Sequence, residues 1–244
     1  MTTFPDASAT SRMTIAVIGP GRLGRVLARA LEAAGFTVHG PLSRTDETPD
    51  VDIAILTVPD AAIPDAAQRA RRHATQLAHT SGATGLEHVD FSIHPLQTFT
   101  GTEAPDVFRG IGAAIAGRTP HDEAIARQLA QALGMQPFHV DDRASYHAAA
   151  SFASNFVLTV LDTAEQLATQ AGVDNPRDVL APLVRQTVDN WQRTGAAASL
   201  TGPIARGDEA TVAKHRAAST DTALFDALAA ATRKLATRAP KDSE

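Results

Sequence analysis

Residues 13–35 read MTIAVIGPGRLGRVLARALEAAG, and this order of residue types decides how the rest of the chain is read. Met13 to Ile18 is a compact apolar, β-branched run closed at once by Gly19, Pro20 and Gly21, which predicts a buried strand. Arg22 to Ala34 follows with Leu23, Val26, Leu27, Ala30 and Leu31 at helical spacing, and Gly35 sits where a helix C-terminus favours glycine. Working outward, further strands are expected at Phe36–Val38, Asp52–Val58, Leu77–His79, Phe91–Ile93, Ala113–Ala116 and Gln136–Val140. The run DIAILTV at 52–58 is nearly all apolar, as in a strand covered on both faces. Between the strands, Ala61–Arg72 reads as a helix with Pro64 in its first turn. Thr119 reads as the N-cap of another, with Pro120 at the first helical position, Asp122 three residues after the cap and Gly134 as the stop. Alternation of this kind predicts an α/β fold, a doubly wound and mostly parallel sheet with helices on both faces.

The pattern changes after Asp141. From Asp142 to Ala171 the chain has no Gly or Pro, and Tyr146, Ala149, Ala153, Phe156, Val160, Ala164, Leu167 and Ala171 form a stripe of three-four spacing. This predicts one continuous helix, about 45 Å long at ~1.5 Å per residue, as the spine of an all-α domain and of a dimer. Asn175-Pro176 is expected to cap the next helix, with Pro182 as a kink position. Residues 195–207 read as a loop, followed by helices over 208–218 and 221–236. The expected division is a disordered tail at 1–12, a nucleotide-binding domain at 13–141, and a helical substrate and dimerisation domain at 142–244.

The chain has 244 residues, 43% hydrophobic and 20% charged, with a formal charge of -5 and no cysteine. Such a chain can bury a core without staples. The negative charge argues against nucleic-acid binding. The missing cysteines exclude disulfides and thiolate metal sites, and no histidine pair has the spacing of a metal site. The first twelve residues lack the basic start and apolar stretch of a signal peptide. No apolar run approaches the ~20 residues of a membrane span, so a cytoplasmic protein without membrane association is expected. Tyr146 and Trp191 read as core or interface residues.

Gly19-Pro20-Gly21-Arg22-Leu23-Gly24 fits G-x-G-x-x-G, entered by a strand and left by a helix, the setting of a Rossmann-type dinucleotide turn. Gly19 permits the tight turn, Gly21 lets a pyrophosphate approach the backbone, and Gly24 lets helix and strand pack closely. The helix N-terminus then offers free N–H groups to the anion. An acidic residue at the end of the second strand would favour NAD(H). Here the chain offers Ser43, Arg44 and Thr45 and no carboxylate before Asp46, which suits a 2′-phosphate and NADP(H). Thr57, Val58, Pro59 and Asp60 end the third strand and are expected to border the cofactor, joined by Thr80 and Ser81 after the fourth and His94 after the fifth. His147, Ser151 and Asn155 recur every four residues, on one helical face. In the glycine-rich 200–208 segment, Arg206 is expected to clamp a substrate carboxylate.

The segments GPGRLG, TVPDAAI, HTSGA, HPLQTF and LTGPIARGD, in that order, resemble a bacterial group that joins an NADP-oxidoreductase-like Rossmann domain to a helical domain of unknown function. The resemblance runs from Met13 to Ala236. The group is similar in architecture to 6-phosphogluconate, 3-hydroxyisobutyrate and prephenate dehydrogenases and to ketopantoate and pyrroline-5-carboxylate reductases. The resemblance implies a helical domain of the 6-phosphogluconate dehydrogenase C-terminal type that dimerises and closes over the nicotinamide. It also implies hydride transfer between NADP(H) and a small carbonyl or imine compound in the interdomain cleft, a 2-oxo acid such as ketopantoate being the first expectation. His94-Pro95 resembles the His-Pro pair of prephenate dehydrogenases, whose histidine acts on the substrate hydroxyl, and Ser81 resembles the Ser or Thr at the neighbouring strand end. Of the Lys-x-x-x-Asn pattern found in hydroxyisobutyrate-type enzymes and ketopantoate reductase, Asn155 matches the asparagine. Ser151 stands where the lysine would be, so the acid falls to His94 or His147. Two alternatives stay open: a noncatalytic NADP-binding redox sensor, and hydride exchange between NADP and a deazaflavin.

Overall fold

The computed structural model describes residues 13–238. The stretch 1–12, expected to be a disordered tail, and the last basic residues lie outside the described residues. Contacts divide the chain into two compact units, between Ser154 and Asn155, later than the change of pattern at Asp141.

The first unit is built on a seven-stranded sheet: β1 (Thr14–Ile18), β2 (Thr37–Leu42), β3 (Val51–Leu56), β4 (Ala74–His79), β5 (Phe91–Pro95), β6 (Gly112–Gly117) and β7 (Gln136–Phe138). The spatial order is β2-β1-β3-β4-β5-β6-β7. Every pairing is parallel except β5–β6. Helices α1 (Arg22–Ala33), α2 (Ile63–Ala70) and α3 (Pro120–Ala132) cover it, and α4 (Arg143–Ala153) completes the unit.

Strand alternation sorts the side chains onto two cores, since successive residues of a strand face opposite ways. Ile15, Val17, Ile53 and Ile55 join Val26, Leu27 and Leu31 of α1 and Leu129 of α3 in one cluster. Ala16, Ile18, Ala54 and Leu56 join Ile63, Ala66 and Ala67 of α2 in the other. Each fully buried aliphatic side chain contributes roughly 1.5–3 kcal/mol, so these two layers hold the sheet, and with it every residue at its strand ends.

Strand β2 runs to Leu42, beyond the expected end at Val38, and pairs with β1 through Thr14↔Thr37 to Ile18↔Leu42. This brings Ser43 and Arg44 directly to the end of the strand. The second unit contains α5 (Asn155–Gln170), α6 (Pro176–Thr194), the single-turn α7 (Ala196–Ser199) and α8 (Pro203–Arg206), then α9 (Glu209–Ala218) and α10 (Thr222–Ala236). The one continuous helix expected over 142–171 is instead α4 and α5. At Ser154 the backbone leaves helical geometry (φ -131°, ψ -74°). The Ser154 hydroxyl donates to the Ala150 carbonyl at 2.7 Å, the kind of local bond with which serine competes against the helical ladder. Helical spacing therefore carries Ser151 onto the face of His147 but does not extend to Asn155. Asn175 precedes α6 in a left-handed conformation (φ 49°) and makes no side-chain cap, contrary to expectation. The 200–208 segment is mostly the short helix α8, whose neighbour Asp208 accepts from the Thr211 N–H at 3.0 Å and caps α9.

The Thr119 cap is a full capping box: its hydroxyl accepts from the Asp122 N–H at 3.2 Å, and the Asp122 carboxylate accepts from the Thr119 N–H at 3.0 Å. Thr119→Ala is expected to destabilise the protein by about 1 kcal/mol, read as a lower urea midpoint. Thr119→Ser should restore most of the loss.

Candidate functional site

Two groups of residues stand out at the C-terminal edge of the parallel strands. The first surrounds the glycine turn. The Thr57 hydroxyl lies against the turn, donating to the carbonyls of Ile18 (3.1 Å) and Gly19 (2.9 Å). A Cβ on Gly24 would come 2.0 Å from the Gly19 carbonyl oxygen and 2.6 Å from Thr57 Oγ1, and one on Gly19 would meet the Thr57 carbonyl oxygen at 2.7 Å. Gly21 differs: the nearest atom to a Cβ there is 3.9 Å away. Gly19 and Gly24 are thus demanded by the protein's own packing, whereas the space over Gly21 is open. Helix α1 starts after Gly21 with no side-chain cap and no acidic residue in its first turn, which leaves its N-terminus suited to an anion.

A cavity of about 280 Å³ opens here, walled by Gly19, Pro20, Gly21, Ser43, Arg44, Thr57, Val58 and Pro59. It adjoins one of about 400 Å³ walled by Ser43, Arg44, Arg69, Arg72 and His73, and Arg44 and Arg69 border both. These walls fit a dinucleotide: bare backbone for a diphosphate and guanidinium groups for a further phosphate. Arg69 and Arg72 were not legible as site residues, because α2 reaches Arg44 only once the sheet is assembled. Arg22, Leu23, Thr45, Asp60 and Thr80 do not line either cavity. Arg22 backs onto Gly101, Leu23 packs against the core, and the Thr45 hydroxyl pairs with Ser43 at 3.0 Å. Asp60 opens a single 3-10 turn, and Thr80 is buried with its hydroxyl 3.4 Å from the Leu56 carbonyl. Thr57, expected near a ribose, has its hydroxyl occupied by the turn itself.

The second group gathers around His94 on β5. Its Nδ1 is 2.7 Å from the Tyr146 hydroxyl, and the two rings meet edge to face with centroids 5.5 Å apart. The His147 ring lies 6.4 Å from that of His94. Between them is Gly82, where a Cβ would sit 3.0 Å from His94 Nε2 and 3.1 Å from His147 Nδ1. Arg143, one turn before His147 on α4, donates from Nη2 to Ser92 Oγ at 2.7 Å and from Nη1 to the Ser81 carbonyl at 3.5 Å. Of the expected site residues, the structure thus brings His94 and His147 together, and it adds Tyr146 and Arg143. Tyr146 was expected in a core or interface, since nothing in its local pattern reports a partner 52 positions away.

The other expected residues are engaged elsewhere. Ser81 Oγ accepts from the N–H groups of Ala83 (3.2 Å) and Thr84 (3.0 Å) and donates to Thr84 Oγ1 (3.0 Å), so its hydroxyl shapes the loop. The buried His79 braces the same loop, Nδ1 accepting from the Ser81 N–H (3.2 Å) and Nε2 donating to the Gly85 carbonyl (2.8 Å). Ser151 Oγ donates back to the His147 carbonyl at 3.2 Å. Asn155 and Arg206 are exposed and belong to the second unit. Among the described residues there is no cluster of metal-ligating side chains, and no helix is long and apolar enough to cross a membrane.

Burial, then the neighbouring His147 and Arg143, pulls His94 down from 6.5 to about 4. His79 is lowered too, chiefly by burial. In the unfolded chain His94 regains its ordinary affinity for a proton. Its contribution to stability is therefore complete above about pH 6.5 and is lost as the pH falls toward about 4. His94→Gln is expected to flatten this acid loss, read as urea midpoints across that window. A slope identical to that of the parent protein would refute it.

The geometry can be compared with known proteins. No curated protein matches the chain. Among solved structures, a candidate NADP oxidoreductase from Bacteroides fragilis is 25% identical with a TM-score of 0.80, covering 92% of this chain and 99% of that one. A protein from Thermotoga maritima is 24% identical with a TM-score of 0.77, covering 91% and 99%. Pyrroline carboxylate reductase from Plasmodium falciparum, solved with NADP bound, is 10% identical with a TM-score of 0.60, covering 92% and 98%. The last two establish likeness of fold alone, a Rossmann-type sheet followed by a helical region. Residues 111–233 match the family described as Domain of unknown function (DUF2520), and the chain belongs to that family.

Proposed function

We propose that the protein is an NADP-dependent oxidoreductase acting on a small carbonyl or imine compound. The observation that carries the cofactor reading is the pair of adjoining cavities, the first over the bare Gly21 backbone and the second bordered by Arg44, Arg69 and Arg72. None of these three arginines is in an ion pair among the described residues. The one carboxylate lining the arginine cavity, Asp46, accepts from the Ser43 N–H at 2.6 Å, and this bond holds its pKa low. In a chain of net charge -5, three unpaired guanidinium groups beside a diphosphate cradle suit a 2′-phosphate. The B. fragilis neighbour's description as an NADP oxidoreductase agrees with this.

When bound, the nicotinamide supplies or accepts the hydride; the chain must orient the reacting group and manage a proton. His94 is the residue proposed for that task. The Tyr146 hydroxyl, kept protonated by burial, donates to Nδ1, so the neutral imidazole carries its hydrogen on Nε2, facing the gap over Gly82. A neutral imidazole N–H donates a hydrogen bond to a carbonyl oxygen without bringing a full charge into a partly buried place. This puts His94 where the missing lysine would otherwise be needed. Asn155, Ser151, Ser81 and Arg206 are not required by this reading.

Adenosine 2′,5′-bisphosphate and adenosine 5′-monophosphate separate the two cavities. Losing one charged hydrogen bond costs roughly 1.5 kcal/mol, about tenfold in affinity. Arg44→Ala and Arg69→Ala are each expected to weaken the bisphosphate by about that factor in titration calorimetry while changing the monophosphate little. Equal effects on both nucleotides, or none, would remove the case for NADP.

The protein is further proposed to be a homodimer through its helical unit. Val179, Leu183 and Trp191 of α6 recur at multiples of four residues, hence along one face, and are 59%, 65% and 58% exposed. Light scattering should give twice the chain mass of 25.6 kDa, and Leu183→Asp should shift it toward the monomer. A monomeric parent protein would end this part of the proposal.

A further inference from the structure

Arg143 is a partly buried cation without a counter-charge. Its two hydrogen bonds go to neutral oxygens, Ser92 Oγ at 2.7 Å and the Ser81 carbonyl at 3.5 Å. Among the described residues no carboxylate forms an ion pair with it. The adjacent Asp142 is committed to capping α4, accepting from the N–H groups of Ala144 (3.0 Å) and Ser145 (3.1 Å). Glu87 acts on Arg143 only through longer-range attraction, and Asp60 acts likewise on His94. Partial burial disfavours the guanidinium charge, and an unpaired cation out of water is costly to keep. A carboxylate offsets that cost by accepting two parallel N–H bonds from the planar fork.

What lies beside this cation makes it more than a structural arginine. Ser81, whose carbonyl it reaches, is followed by Gly82, and the missing side chain there leaves a gap. A Cβ would fill it, at 3.0 Å from His94 Nε2 and 3.1 Å from His147 Nδ1. The gap is therefore bordered by two imidazole nitrogens, with a guanidinium one residue away along the loop. A flat ligand with a carboxylate next to a carbonyl or imine carbon matches that spacing of charge and donor.

We infer that Arg143 and the gap over Gly82 form the binding site of a small 2-oxo carboxylate or its 2-imino equivalent, the guanidinium holding the carboxylate and His94 facing the neighbouring oxygen or nitrogen. This rests on the proposed role of His94 and names the substrate class it serves. It moves the carboxylate clamp expected at Arg206 to Arg143, since Arg206 is exposed in the other compact unit.

The test follows the histidine ring signals of the NADP-saturated full-length protein by NMR, during titration with pyruvate, 2-oxobutyrate and phenylpyruvate and with the methyl ester of each. At least one acid is expected to shift the His94 and His147 signals saturably, with its uncharged ester at least ten times weaker. Arg143→Gln should weaken the acid about tenfold and leave the ester unchanged. Gly82→Ala, whose methyl occupies the gap while the guanidinium stays, should abolish both. Acid and ester binding alike, no member of the panel reaching the two histidines, or an acid affinity indifferent to Arg143→Gln would each overturn the inference. The comparison of acid with ester needs no variant, so a misfolded Arg143→Gln leaves it decisive. Thermal stabilisation by NADPH, measured separately, reports on the cofactor reading alone.

Discussion

The hydroxyl of Thr57 is the small contact on which the nucleotide end of this molecule depends. By donating to the Ile18 and Gly19 carbonyls it ties the end of β3 to the turn that leaves β1. That closeness is what excludes a side chain at Gly19, where φ is 122°, and at Gly24, where a Cβ would fall 2.0 Å from the Gly19 oxygen. The turn is compact because its inner face is filled by protein. Its outer face, over Gly21, is bare for the same reason: helix α1 begins directly there and has no capping side chain. A glycine motif of this type thus contains two kinds of glycine, those required by packing and one whose surroundings are left to a ligand.

Much of the sheet was legible before the structure. Strand β1, the turn, helix α1 and the Thr119 capping box follow from local rules of period and capping, because each is decided by residues within one or two turns of one another. The break at Ser154 was not legible. The apolar stripe runs across it without interruption, and only the local competition of a serine hydroxyl for the Ala150 carbonyl marks the place. The length of β2 was missed for a different reason: its pairing with β1 reaches Leu42, a tertiary effect that overrides the weak strand preference of His39-Gly40-Pro41.

The candidate site divides along the same line. Residues adjacent to a motif, such as Gly21, Arg44, Val58 and Pro59, were found because strand ends of an open sheet converge by rule. Arg69, Arg72, Arg143 and Tyr146 were not, because each reaches its partner only after the chain has folded back. Among expected polar residues, Ser81, Thr80 and Thr57 turned out to satisfy the loop backbone around them, which is the usual fate of a hydroxyl close to a turn. A polar residue at a strand end is therefore weak testimony by itself; what distinguishes His94 is an atom, Nε2, with open space in front of it.

The distribution of charge ties the two halves of the site together. The protein is net negative, yet at two places along one sheet edge it keeps guanidinium groups without carboxylate partners, Arg44, Arg69 and Arg72 around one cavity and Arg143 beside His94. Elsewhere the arginines behave differently: Arg71, Arg127, Arg177, Arg216 and Arg233 are each paired with a carboxylate. Pairing is thus available to this chain and is withheld at the strand ends. At Arg143 the withheld charge has a chemical consequence, because it stands near His94 and helps to keep that imidazole neutral. An anion bound there would relax this pressure and raise the proton affinity of His94. A carboxylate ligand would in that way bring its own reacting atom to the histidine and, at the same moment, make the histidine readier to hold a proton beside it.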